Sequence, residues 1–186
     1  DPKITIKTNG KWIKVNPTFW KKLTPSEKEG TVMSQWLHIA LLDIIRQDGR
    51  IDKVWKAACA FRSSSMILTE ANKINNVSTM TLPEGALFDT QFNNKSAEEV
   101  YTVVLKAYEK ALKDKANNQQ QNKPSQGQPQ QQKGKGQSKS KYIDKDALAE
   151  SLANDSDGSG TGDDFEYADD TLDQEELKRE IVRAAE

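Results

Sequence analysis

The 186-residue sequence is poor in the residues that most often do chemistry: it has one cysteine, Cys59, and one histidine, His38. A single thiol excludes an internal disulfide framework and a thiolate metal cluster. There is no zinc-ligand spacing, no Walker loop, no Gly-rich dinucleotide turn and no G-x-S-x-G elbow. No apolar run reaches membrane-spanning length and no signal peptide is visible, so a soluble, cytoplasmic protein without membrane contact is expected. Apolar residues make up 35% and the mean hydropathy is −0.81, low for a chain folded throughout. All four tryptophans, Trp12, Trp20, Trp36 and Trp55, lie in the first third. No internal repeat is present.

The net charge of −1 conceals an asymmetry. Residues 1–116 carry 18 basic and 13 acidic side chains, 117–141 carry 5 lysines and no acid, and 142–186 carry 4 basic and 15 acidic. A basic body joined to an acidic end points to nucleic acid, to a charged partner, or to contact between the two ends.

Ile4 to Val15, ITIKTNGKWIKV, has the form of a hairpin. Asn9-Gly10 stands between two alternating runs, which predicts a two-residue type I′ turn pairing Ile6 with Ile13 and Ile4 with Val15. Thr24-Pro25-Ser26-Glu27 is a capping box that opens a helix, and the apolar run Val32–Ile45 predicts that this helix is largely buried until Asp48-Gly49 ends it. A second helix is expected from about Asp52 through Phe61, continuing or breaking at Ser63-Ser64-Ser65. Ser96-Ala97-Glu98-Glu99 opens another, to about Lys115, with an apolar stripe from Val100 to Leu112. Residues 117–141 hold no hydrophobic side chain and read as a flexible Gln/Lys/Gly/Pro-rich linker. Tyr142 to Ala153 reads as a short helix, and Thr171 to Ala185 as an amphipathic one that needs a partner surface. The expected fold class is α+β, mostly helical: an N-terminal hairpin packed on three or four helices in a body of residues 1–116, then the linker 117–141 and an acidic, mostly disordered tail 142–186.

Neither reactive side chain reads as catalytic. His38 shares a helical side with Leu41, Leu42 and Ile45 and lacks an orienting carboxylate at a recognisable spacing, so it reads as a packed or capped histidine. Cys59 lies in KAACAF and reads as a small buried hydrophobe. No enzyme and no cofactor are therefore expected.

The outer face of the hairpin and the segment after it gather Lys3, Lys7, Lys11, Lys14, Lys21 and Lys22 around Trp12. Cations track phosphates and an exposed aromatic can stack on a base, so this cluster is the candidate surface for single-stranded nucleic acid. The same face also reads as an ordinary solvated strand surface. A compact body, a Gln/Pro/Gly linker and an acidic tail with aromatics resemble the layout of single-stranded nucleic-acid-binding proteins of bacteria and phages, and of helical viral nucleoproteins and scaffolding proteins. That resemblance implies a non-enzymatic module, viral or phage, whose tail recruits a protein partner through Phe165, Tyr167, Leu172, Leu177, Ile181 and Val182. The alternative is an assembly or scaffolding factor without nucleic acid, its apolar helices forming a homo-oligomer. A third reading comes from DSDGSGTGDDFE. Asp155, Asp157, Ser159, Asp163 and Glu166 stand at EF-hand ligand positions, with Gly160 at the turn, which would make the chain a calcium-binding adaptor.

Overall fold

The computed structural model describes residues 6–71, 80–121, 141–154 and 163–165, together with Arg179 and Arg183. The expected class holds: the chain is mostly helical, with an N-terminal antiparallel hairpin packed on helices. Strands β1 (Ile6–Thr8) and β2 (Ile13–Val15) form the hairpin. Their register differs from the expected one. Ile6 faces Val15, Lys7 faces Lys14 and Thr8 faces Ile13, leaving Asn9 to Trp12 as the loop. The cause is side-chain capping. Asn9 Oδ1 accepts from the backbone N–H of Lys11 (3.0 Å) and of Trp12 (3.2 Å), while Thr8 Oγ1 accepts from Gly10 N and donates to the Trp12 carbonyl. These bonds give the loop an internal frame, so of Asn9 and Gly10 only Gly10 takes a positive φ (92°). A third strand, β3 (Asp163–Phe165), lies parallel to β1 on its other edge, placing Asp163 opposite Ile6 and Phe165 opposite Thr8.

After a single turn, α1 (Pro17–Trp20), the chain enters α2 (Pro25–Ala40). The capping box is formed: Thr24 Oγ1 accepts from Glu27 N, and Glu27 Oε2 accepts from Thr24 N. Those bonds to Thr24 lead in holding the Glu27 carboxyl below its ordinary value. The helix stops well before Asp48. Leu42 takes a φ of 59°, and Asp43 N reaches back to the His38 carbonyl. The helix is also not buried on all sides, as its apolar run implies; one face is buried and it is polar. It is Gly30, Thr31, Ser34, Gln35 and His38, while Met33 and Trp36 face outward, Trp36 with 59% of its surface exposed.

Gly30 is there because nothing larger fits. A Cβ at this position would overlap the Thr81 carbonyl oxygen, which is held close by the bond from Thr81 N to Ser26 O (3.2 Å). Gly→Ala inside a helix ordinarily stabilises by about 0.5–1 kcal/mol. Here Gly30→Ala is expected to destabilise by about 1–3 kcal/mol, because backbone must move. A lowered melting temperature is the expected reading, and a raised one would show that the two segments do not touch.

The central helix is α3 (Asp52–Ser65), buried almost throughout from Val54 onward and continued by a π-helical stretch, Met66–Ala71. It passes through Ser63-Ser64-Ser65 without a break. Helix α4 (Ala97–Gln121) packs along it and runs into the Gln-rich stretch, past the expected start of the linker at residue 117. The main core joins Val54, Ala58 and Phe61 of α3 to Phe92, Val100 and Val104. Phe61 and Phe92 meet with ring centroids 4.9 Å apart.

Residues 142–154, expected at the head of a disordered tail, belong to this body. Helix α5 (Lys145–Asn154) inserts Leu148 and Leu152 into the same core. Its approach is fixed by backbone bonds between 141–143 and 85–88: Lys141 O accepts from Gly85 N, Ile143 O accepts from Phe88 N, and Ile143 N donates to Ala86 O. Lys53 and Lys115 donate to the Leu152 and Ala153 carbonyls, which a helix C-terminus leaves open. Among the described residues no helix is long and apolar enough to cross a membrane.

Candidate active site

On the polar face of α2, His38 has its partner in the turn that follows, and that turn is held in place by α3. The positive φ at Leu42 reverses the chain and delivers Asp43 under the helix it has just left. The Asp43 carboxylate is fully buried and is the hub of the cluster. Its Oδ2 accepts from His38 Nδ1 (2.8 Å). An ionised carboxylate only accepts, so Nδ1 carries a proton; Nε2 is buried as well. From α3, Arg62 closes a two-pronged ion pair on the same group, Nη1 to Oδ1 at 2.9 Å and Nη2 to Oδ2 at 2.5 Å. Trp55 Nε1 donates to the Asp43 backbone carbonyl (2.9 Å), so main chain and side chain are both anchored to α3.

Burial alone would push the Asp43 carboxyl up. The hydrogen bond and charge of His38 and the charge of Arg62 outweigh it, and the carboxyl lies below its ordinary 3.8. The Cys59 thiol lies against the same carboxylate. Burial first, then the Asp43 charge, pushes it well above its ordinary value, so it stays protonated. Ser34 and Gln35 are buried on the same face of α2 as His38, at 3% and 0% exposure.

The sequence reading therefore needs correction here. His38 does have an orienting carboxylate, five residues on, brought round by a turn rather than by helical spacing. Cys59 is buried as expected, but in contact with a charge. Asp43 and Arg62 were not singled out at all. The available signal was the spacing of Ser34, Gln35 and His38, three polar residues on one side of an otherwise apolar run.

The other candidate residues lie elsewhere. Lys14 Nζ sits 4.0 Å over the half-buried Trp12 ring, so this cation covers the aromatic face that was to take a base. Lys11, Lys21 and Lys22 are exposed, and Lys7 is on β1. Lys3 lies outside the described residues, as do Tyr167, Leu172, Leu177, Ile181 and Val182 of the tail. Asp155, Asp157, Ser159 and Glu166 of the calcium pattern are also outside them, and Asp163 and Phe165 belong to β3.

Comparison with known families gives a match over residues 1–186 to the one described as "Putative metallopeptidase domain". The chain belongs to that family. No curated protein and no solved structure matches it. Membership overturns the expectation of a non-enzymatic, viral or phage nucleic-acid-binding or scaffolding protein. It also overturns the expectation of no cofactor, or of calcium in an adaptor, because the family points to a metal-dependent peptidase.

Peptidases of this kind commonly carry H-E-x-x-H on a helix, which puts two imidazoles on one face with the glutamate as general base. His38 on α2 fits the second histidine. Gln35 then stands at the glutamate position and Ser34 at the first histidine, and all three are buried on one face. Taken as the first histidine, His38 would be followed by Ile39 and Leu42 at the other two positions, both apolar. The string Ser34-Gln35-Trp36-Leu37-His38 thus keeps the motif's spacing and one of its three groups. His38 has the arrangement of a metal-ligating imidazole, its Nδ1 backed by a carboxylate. The rest of the centre does not fit a dication as it stands. Both Asp43 oxygens are engaged by a fixed guanidinium, and among the described residues no group of three or more His, Cys, Asp or Glu could hold a metal.

Proposed function

We propose that this protein acts on polypeptides as a peptidase of the metal-dependent class, with the motif-spaced face of α2, Ser34, Gln35 and His38, as its candidate centre. The observation that carries this is the family match over the whole chain, joined to the motif-spaced face of α2. This chain's own residues do the following. Asp43 orients the His38 ring through its Nδ1–H. Gln35 offers an amide that can orient a water or a peptide carbonyl but cannot take a proton. Arg62 keeps the carboxylate neutralised. With no carboxylate at position 35, turnover is expected to be slow.

The test is cleavage of unfolded casein by the full chain with Zn(II), before and after a chelator. Slow, chelator-sensitive cleavage is expected, abolished by His38→Ala and raised roughly a hundredfold by Gln35→Glu, in line with the usual contribution of a general base. No cleavage by either the wild type or Gln35→Glu would overturn the reading.

A further inference from the structure

A hairpin alone is marginal in water. Here β1 has a further strand on its second edge, β3, drawn from the acidic end of the chain. The row of residues across the sheet accounts for its acidity. Ile6 and Thr8 of β1 are buried, and Lys7 between them is half-buried. Lys7 stands directly opposite Lys14 of β2. Like charges so placed repel. Lys14 lies over the Trp12 ring, and on the other side of Lys7 the ladder places Asp164. An acid in that position offsets the repulsion. The next position, Phe165, falls opposite buried Thr8, and α3 meets β3 as well, which gives the edge a wall. We infer that the second edge of β1 is a docking slot for a short, extended, acidic peptide: this chain closes it with its own Asp163–Phe165, and an acidic segment of another polypeptide takes it when that strand leaves. Main-chain bonds hold an added strand whatever its sequence, and alternate side chains select it. A segment with the same acid–aromatic pair can therefore replace β3, which is three residues long and stands at the rim of the sheet. The advantage of β3 is its tether. Residues 155–162 join it to α5, and a short connection supplies an effective concentration in about the millimolar range. The inference does not use the peptidase reading.

The experiment uses the full chain and a fluorescein-labelled peptide of residues 161–168, read by fluorescence anisotropy without added metal. The wild type, with its slot filled, is expected to bind the peptide weakly. Asp164→Lys puts a third lysine in the row and expels the strand, so this chain is expected to bind the peptide at least about tenfold tighter. Lys7→Glu repels Asp164 instead, and is expected to prefer a peptide carrying Asp164→Lys to the native one. Lys7→Glu/Asp164→Lys restores the pair within the chain and is expected to bind both peptides as weakly as the wild type binds its own. Equal binding of the native peptide by wild type and Asp164→Lys, binding by neither, or a preference that does not reverse with the charge at position 7 would each overturn the inference. If Asp164→Lys is unfolded by far-UV circular dichroism, Asp164→Asn replaces it with a smaller gain expected, and no gain overturns the inference. A wild type that is dimeric by light scattering, with the dimer lost in Asp164→Lys, would show that the strand comes from a second copy and would overturn it too. Casein cleavage is read separately, so either proposal can fail while the other stands.

Discussion

Asp43→Ala is expected to destabilise the protein by about 3–5 kcal/mol, the usual result of removing one partner from a buried ion pair. The size follows from what is left behind. Arg62 cannot deprotonate, and it would remain a charge in the interior with its two shortest bonds gone. His38 Nδ1 would lose its acceptor at the same time. The Trp55 bond to the Asp43 main chain would survive, so the turn itself should hold and the loss should appear in stability before it appears in fold. Urea denaturation of the two single variants and of Asp43→Ala/Arg62→Met gives the control. The double variant should recover much of the loss, because no uncompensated charge remains. A penalty for Asp43→Ala below about 1 kcal/mol would mean that the cluster is solvated and the site assignment wrong. The pH dependence has a definite sign. A carboxyl whose folded pKa lies below its unfolded value stabilises above the unfolded value, and that contribution disappears as pH falls through the folded one. The gap between wild type and Asp43→Ala should therefore be full at neutral pH and narrow in acid.

How much of this was legible in the sequence depends on how local each determinant is. Both capping boxes were, because Thr24 with Glu27 and Ser96 with Glu99 act within one turn and meet no competitor. The hairpin was legible, but its register was not. Asn9-Gly10 fits a type I′ turn, yet the Asn9 and Thr8 side chains can close a longer loop, and the bonds they make decide it. The path of α2 was misjudged for a different reason. Hydrophobic periodicity assumes that apolar residues mark the buried face, and a helix that carries a buried polar centre reverses that rule. The apolar run suggests burial all round, but Met33 and Trp36 face outward and Ser34, Gln35 and His38 are the buried side. Asp43 could not have been paired with His38 by helical spacing, because the link is a positive φ at Leu42, a residue type that gives no hint of it. Arg62 gives no local signal, since nothing in a local window shows that α3 is central. The family's motif was missed because two of its three groups are replaced, so only its spacing remains.

Leu152→Ala is expected to cost about 2–5 kcal/mol, the range for truncating a fully buried leucine. A composition-based boundary predicts no effect, because it places this residue in an acidic tail beyond a linker. The structure buries Leu152 and Leu148 against α3 and α4, and the backbone bonds between 141–143 and 85–88 set the angle at which α5 arrives. Lys53 and Lys115 then tie the end of α5 to those two helices. Composition misleads here because α5 needs only one apolar stripe to dock; its other residues face water and carry the charge that makes the segment look like a tail. Bringing it back across residues 122–140 costs closure entropy that grows only slowly with length, so a long polar connection is no obstacle. The same docking predicts that a chain ended at residue 141 will melt lower than the full chain and expose the core surface that α5 covers, measurable as increased binding of a hydrophobic dye. A chain of residues 1–141 with unchanged melting temperature and no added dye binding would return α5 to the tail.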